Sequence, residues 1–112
     1  MTQIRLTRKL IVEAPQNVAD GTGGFTQSWA VLGTLWGDVA AGSGRETAGV
    51  EVTLAAVPYR ITVRGAAVGS TARPKPEQRL RDGTRVFTIL AVTERDSDGR
   101  YLTCFAREEV PA

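Results

Sequence analysis

The sequence predicts an all-β fold, a small antiparallel barrel or sandwich of about five or six strands. The segment YRITVR at residues 59–64 alternates apolar with polar side chains, which is the pattern of a half-buried strand. Residues 85–93 and 100–107 are rich in β-branched and aromatic side chains and are joined across the turn sequence DSDG. Short strands with little helix are typical of these two architectures.

The first half of the chain predicts three more strands. The first covers residues 7–14, because Pro15 offers no amide hydrogen with which to continue a ladder. The glycine-rich stretch 20–24 is expected to be a flexible turn. Residues 25–32 and 34–41 follow as two strands separated by a glycine, and together they suggest a hairpin.

Residues 65–80 form a poor strand, since two glycines and two prolines interrupt them. A short edge strand is predicted at residues 78–81, followed by a turn at Asp82 and Gly83. At 112 residues, the whole chain is expected to fold as a single domain, 1–112, with one core.

One long loop, residues 42–57, closes no hairpin and has no clear strand register. It fits a part-helical segment with Val50, Leu54 and Val57 on one face, or a strand in which Val50, Val52 and Leu54 alternate. Its glycines favour a mobile first half, whereas its second half is too apolar to stay solvated. A docking loop and a loop folded over an open barrel end both remain open.

Composition excludes several kinds of site. The chain has no histidine and a single cysteine, Cys104, so one chain can form neither a disulfide nor a multi-cysteine or histidine metal site. No apolar run is long enough to span a bilayer, and the amino terminus lacks the apolar core of a signal peptide. We therefore expect no metal, no cofactor, no membrane association and synthesis in a reducing compartment.

Catalysis is not predicted either. General acid–base chemistry at neutral pH usually needs histidine or a strongly perturbed carboxylate. The carboxylate pairs Asp96 with Asp98 and Glu108 with Glu109 are expected to be solvated surface charges. Cys104 lies within a predicted strand, where we expect an inert, buried thiol. The sequence therefore predicts that the protein is not an enzyme.

A basic cluster keeps nucleic-acid binding open as a function. The formal net charge is only +2, but the excess of arginine and lysine lies in the second half of the chain. The cluster consists of Arg60, Arg64, Arg73, Lys75, Arg79, Arg81 and Arg85. These side chains could face phosphates, although arginines on an exposed sheet face are also ordinary. A free-standing nucleic-acid-binding barrel is therefore the alternative to an assembly protein, whose interfaces would use arginine, tryptophan and tyrosine.

A series of short motifs runs through almost the whole chain. The motifs are DGxGGFxxxW at 20–29, LWGxV at 35–39, GxE at 44–46, YRITVR at 59–64, VFxI at 86–89 and LTCFA at 102–106. In this order and spacing they resemble the head-tail joining proteins of tailed bacteriophages, also called head-closure or stopper proteins, with relatives in gene transfer agents. The chain departs from the family pattern after Arg64, where Gly65 and Ala66 follow, so we expect the strand to end there.

The resemblance implies a structural virion protein in the neck of a phage or phage-like particle, present in the host cytoplasm during assembly. Such a barrel forms a ring of six or twelve copies that closes the filled head. Its partners are the portal-side adaptor on one side and the tail terminator or tail-tube protein on the other. Double-stranded DNA passes through without sequence specificity. The neighbouring rings of the same neck, the adaptor and the tail terminator, remain alternatives.

The resemblance also makes the long loop a docking or gating element. In this hypothesis Arg45 and Glu46 contact ring neighbours or the adaptor, while Val50, Val52 and Leu54 supply apolar burial.

The charge around the DNA path is expected to be moderate, because DNA must leave through the ring and a strongly basic tunnel would hold it. We predict that most of the basic cluster is paired or faces outside, with at most Arg73 and Lys75 near the channel.

Overall fold

The computed structural model describes residues 3–42 and 58–109, in which six antiparallel strands close into a barrel. The strands are β1 (Arg8–Ala19), β2 (Phe25–Ala41), β3 (Pro58–Arg64), β4 (Arg79–Asp82), β5 (Arg85–Glu94) and β6 (Tyr101–Glu108). Their order around the barrel is β1-β2-β3-β6-β5-β4, and β4 pairs back onto β1. The all-β prediction is confirmed. Within the described ranges, no helix has the length and apolar character needed to cross a membrane.

The predicted long loop falls almost wholly outside the described residues, which include only Gly42 of it. The candidate contact residues of the loop lie outside them as well, namely Arg45, Glu46, Val50, Val52 and Leu54.

Alternation along the strands fills the barrel with apolar side chains. On β3, Ile61 and Val63 are buried in the core while Arg60 and Arg64 are exposed, as the sequence predicts. The buried core consists of Leu10, Val12, Ile61, Val63, Leu80, Phe87, Ile89, Leu102, Cys104 and Ala106. Full burial of one large apolar side chain stabilises the fold by about 1.5–3 kcal/mol. The prediction of a buried Cys104 is confirmed, and desolvation raises the pKa of its thiol to about 12.

At two glycines the backbone packs closely against neighbouring residues of the barrel. A Cβ at Gly37 would lie 2.6 Å from Cδ1 of Leu10, so β2 can cross the core here only without a side chain. Gly65 donates its backbone N–H to the carbonyl of Arg100 at 2.7 Å, and a Cβ there would overlap the carbonyl oxygen of Gly99. As predicted, β3 ends at Arg64.

The structure corrects the boundaries of the first two strands. β1 continues through Pro15, because β4 pairs with β1 only as far as Glu13 and no other described strand pairs with that edge beyond it, where proline is tolerated. β2 is a single strand of 17 residues, so the predicted hairpin at Gly33 is wrong. Gly33 pairs with Val12 and Val31 pairs with Glu13, which makes Leu32 the extra residue of a β-bulge.

The predicted edge strand at 78–81 is β4, and it is not an edge. It pairs with β1 on one side and with β5 on the other, so it closes the barrel. The predicted hairpin of β5 and β6 across DSDG is confirmed. A second bulge interrupts that ladder, because Ile89 pairs with Ala106 and Ala91 pairs with Phe105, which leaves Leu90 without a partner.

Candidate functional site

The tip of the β1–β2 hairpin extends beyond the barrel. Among the described strands, only β2 pairs with β1 after Glu13, and β3 joins β2 only from Gly37 onward. We call residues 14–31 the hairpin arm. β1 contributes residues 14–19 and β2 residues 25–31 to it, which corresponds to a projection of about 20 Å.

The arm exposes apolar side chains. The exposed fractions are 72% for Phe25, 62% for Val31 and 44% for Val18. Asp20 is the only charged residue between Glu13 and Asp38. A two-stranded ribbon has no core of its own and is marginally stable alone. A ribbon with one charge and several exposed apolar side chains is typical of a surface that another protein covers.

The cross-strand register assigns the arm's faces. Phe25 lies opposite Ala19, Trp29 opposite Pro15, and Val31 opposite Glu13. One face of β2 therefore carries Phe25, Gln27, Trp29 and Val31, and it lies on the same side of the sheet as Glu13. Because this is the outer side of the barrel, Trp29 can reach the outward-facing side chains of β4.

The tip of the arm is a hydrogen-bonded turn. Oδ1 of Asp20 accepts hydrogen bonds from the backbone N–H of Thr22 at 2.8 Å, its hydroxyl at 2.8 Å and the N–H of Gly24 at 3.1 Å. The backbone hydrogen bond from Thr22 is the main cause that lowers the pKa of Asp20, so the tip carries a negative charge at neutral pH. The predicted flexible turn is thus held in one conformation by its own aspartate.

A charged cluster fixes the root of the arm to the barrel. Glu13 is only 3% exposed although it lies on the outer face, because two arginines of β4 cover it. Its Oε1 accepts from Nε of Arg79 at 2.6 Å, and its Oε2 lies 2.6 Å from Nη2 of Arg81. The guanidinium of Arg79 also lies 3.9 Å from the ring centroid of Trp29. We call these four residues the arm-root cluster, and its charge-assisted and cation–π contacts orient the arm.

A second apolar surface lies on the outer face of β5 and β6. We define the β5–β6 patch as Leu90, Ala91 and Phe105, of which Leu90 is 56% and Phe105 37% exposed. The bulge turns Leu90 outward, and Ala91 lies directly opposite Phe105. The neighbouring outward charge on β6 is that of the exposed Arg107. The patch is therefore apolar with a basic margin.

One end of the barrel is closed by a cluster around Arg85. Its guanidinium donates to Glu108 at 2.7 and 3.1 Å and to the hydroxyl of Tyr59 at 3.2 Å. The same guanidinium lies 5.0 Å from the ring centroid of Phe87. The hydrogen bonds from Arg85 hold the pKa of Glu108 below its ordinary value. Glu108 is thus a partly exposed surface carboxylate, with 23% of its side chain accessible, that is held in an ion pair with Arg85.

The predicted channel residues lie in the segment between β3 and β4. Arg73 is partly buried and its Nη1 donates to the carbonyl of Ala66 at 3.1 Å. Lys75 is exposed, and its backbone N–H donates to Oε1 of Gln78 at 3.0 Å. Their position relative to a DNA channel stays a prediction.

Three other members of the basic cluster are neutralised. Arg79, Arg81 and Arg85 form ion pairs with carboxylates. In the described part of the chain, no group of three or more cysteine, aspartate or glutamate side chains is arranged to hold a metal ion.

Sequence reasoning missed the hairpin arm and its root. A signal for the arm was present, because residues 21–37 contain no charged side chain. The contact between Glu13 and Arg79 had no such signal, since 66 residues separate them and only the closure of the barrel brings them together.

Comparison with known proteins adds the remaining evidence. Residues 1–109 match the family model described as phage head completion protein. A chain of the virion of a native gene transfer agent particle is 54% identical, with 100% of both chains covered and a TM-score of 0.77. A solution structure of a Shigella flexneri 2a protein is 23% identical over 100% of both chains, with a TM-score of 0.74, and supports the fold alone. No curated protein matches the chain significantly.

Proposed function

Because this chain belongs to the phage head completion protein family, we propose that it is a structural virion protein that closes the DNA-filled head and joins it to the tail. The observation that carries the proposal is the family match over residues 1–109, supported by the 54% identity to a chain of a gene transfer agent virion. The protein would act in the neck of a phage or phage-like particle, after synthesis in the host cytoplasm.

Within the neck, we assign it to the stopper ring between the portal-side adaptor and the tail terminator or tail tube. The support for an assembly role is the distribution of exposed apolar side chains, which include those of the hairpin arm and the β5–β6 patch. Surfaces of this kind are typical of proteins that are buried against partners. Membership of a neighbouring ring, as adaptor or tail terminator, is the competing assignment.

The long loop is the proposed docking element of this ring. Its base is closed by a hydrogen bond from the N–H of Gly42 to the carbonyl of Pro58, 2.9 Å long. In this proposal Arg45 makes a polar contact and Leu54 an apolar one with the adaptor or a ring neighbour. Particles that carry Arg45→Ala together with Leu54→Ala should show a loss of head-to-tail joining. Normal joining in the double variant would remove the loop from the proposal.

Double-stranded DNA is proposed to pass through the ring without being held tightly. Arg79, Arg81 and Arg85 are ion-paired with carboxylates, and among the remaining basic residues we propose Arg73 and Lys75 as the candidates that face the channel. Each additional phosphate contact steepens the salt dependence of binding, and a ring multiplies each contact by its number of copies. Weak binding of duplex DNA by the isolated chain is therefore expected. Tight, salt-sensitive binding would instead favour a free-standing nucleic-acid-binding barrel.

The decisive test of the proposed function is electron microscopy of particles produced with the gene deleted. We expect heads without tails, either filled or leaking DNA, and rescue by the gene supplied in trans. Normal tailed particles in the deletion strain would refute the proposal. Tails that are present but abnormally long or open at the upper end would favour the tail-terminator assignment.

A further inference from the structure

We propose that copies of this chain associate head to tail, with the hairpin arm of one copy lying on the β5–β6 patch of the next. The inference rests on the proposed function, because a particle is where the copies meet, but its argument comes from the surfaces of the barrel itself.

The two surfaces lie on opposite sides of the molecule. In the strand order β1-β2-β3-β6-β5-β4, the seam of β1 with β2 is separated from the seam of β6 with β5 by one strand in each direction. The arm of one molecule therefore cannot cover its own patch. Two unlike surfaces on opposite sides favour a contact that repeats from copy to copy and closes into a ring when the rotation permits.

Charge complementarity selects a second copy as the occupant. The arm carries one charge, that of Asp20 at its tip, and is otherwise neutral. The patch is apolar, and next to it are Arg107 of β6 and the exposed Arg60 of β3, which lies opposite Phe105. The nearby carboxylate of Glu109 accepts a hydrogen bond from the hydroxyl of Thr88 at 2.6 Å. An apolar ribbon with a negative tip thus matches an apolar wall with a basic margin.

The arm is also held in one orientation before docking. The arm-root cluster joins Trp29 and Glu13 of the hairpin to the arginines of β4, and Asp20 fixes the turn. A ribbon with a fixed direction loses less conformational freedom when it binds than a mobile one. Phe25 and Val31 are then the apolar anchors, and Leu90 with Phe105 forms their receiving surface.

The test is cysteine cross-linking of the full chain. Gln27→Cys places a thiol on the arm face that carries Phe25, and Ala91→Cys places one in the patch. Cys104 can stay, because its thiol is buried. Under mild oxidation, a chain with both substitutions should give a ladder of covalent multimers larger than dimers in purified particles. Each single variant should stay monomeric on a non-reducing gel.

Disruption at the contact gives a second measurement. Phe25→Asp in the doubly substituted chain should reduce the ladder about tenfold or more, the size expected for loss of an apolar anchor. Val68→Asp is the matched control, since Val68 is 83% exposed in the segment after β3, outside the arm and the patch. Equal ladders with Phe25→Asp and Val68→Asp would overturn the proposal.

The outcomes separate this inference from the proposed function. If purified particles contain the protein but give no ladder, the head-to-tail contact is refuted and the neck assignment stands. Dimers from Gln27→Cys alone would show arm-to-arm contact and would also refute it. If the particles lack the protein, the proposed function fails, and the same cross-linking on the purified chain at high concentration decides the contact.

Discussion

Arg79 stacks its guanidinium 3.9 Å from the ring centroid of Trp29 while its Nε donates to Oε1 of Glu13 at 2.6 Å. One side chain of β4 thereby holds both strands of the hairpin arm against the barrel. This relationship predicts that Arg79 matters for stability far more than a typical surface arginine.

Arg79→Ala should lower the free energy of unfolding by about 2–4 kcal/mol, because it removes the stacking contact and leaves the buried carboxylate of Glu13 with Arg81 alone. Urea denaturation followed by tryptophan fluorescence measures the change. Arg100→Ala is the control, since Arg100 is 75% exposed and lies 3.7 Å from Asp98, so its loss should cost less than about 1 kcal/mol. Equal losses for the two variants would contradict the role given to Arg79.

Gly37→Ala should destabilise the barrel by about 1–3 kcal/mol, because the new Cβ would lie 2.6 Å from Cδ1 of Leu10 in the packed core. Gly33→Ala in the same strand is a matched control, since a Cβ there meets no atom within 4 Å. Thermal unfolding of the two variants should separate them clearly. A Gly37→Ala protein as stable as Gly33→Ala would show that the core can move aside.

Glu108 should make the protein sensitive to acid. Arg85 lowers the pKa of Glu108 below the ordinary 4.5, so the stability that this carboxylate contributes is present above that value and is lost as pH falls through the folded-state pKa. Glu108→Gln should therefore flatten the decline in unfolding free energy below about pH 5.

Glu109→Gln is the control for that measurement, because Glu109 is exposed and accepts a hydrogen bond from the hydroxyl of Thr88 instead. Its stability should keep the acid dependence of the wild type. Parallel pH profiles for wild type and Glu108→Gln would refute the contribution of the Arg85 contact.

Cys104 should be unreactive in the folded protein. Burial raises the pKa of its thiol to about 12, so almost no thiolate exists at pH 8 and reagents cannot reach the sulfur. Modification by a chromogenic disulfide reagent should speed up by about a hundredfold or more in denaturant. Ala91→Cys supplies an exposed thiol for comparison, and rapid labelling of native Cys104 would contradict its burial.

Much of the fold was predictable where strands are half-buried. The alternation of β3 and the composition of β5 and β6 follow directly from the fact that each strand has one face towards solvent and one face packed in the barrel core. In β2 the alternation of inward and outward side chains changes phase at Leu32, because the bulge adds one residue there. A search for strict alternation along the sequence therefore divides this one strand into two. Pro15 wrongly predicted the end of β1 for a similar reason. Only the pairing of the described strands shows that β4 does not reach this part of β1, so the missing amide hydrogen of proline interrupts no ladder.

The candidate site was less predictable because it depends on contacts across the barrel. Glu13 looks like any surface carboxylate in the sequence, and only the register of β1 with β4 places it between Arg79 and Arg81. Exposed apolar residues such as Phe25 and Leu90 cannot be told from core residues in the sequence. Only the fold shows that their side chains are exposed to solvent and not packed in the core.

The free edges of the arm have a consequence for handling the protein outside a particle. Between Phe25 and Trp36, the outer edge of β2 has no strand partner in the described chain, and this stretch contains neither proline nor charge. Edges without such gatekeepers are templates for intermolecular β-pairing. The overproduced chain should therefore aggregate through this edge, and a single lysine at the exposed Thr26 should improve its solubility.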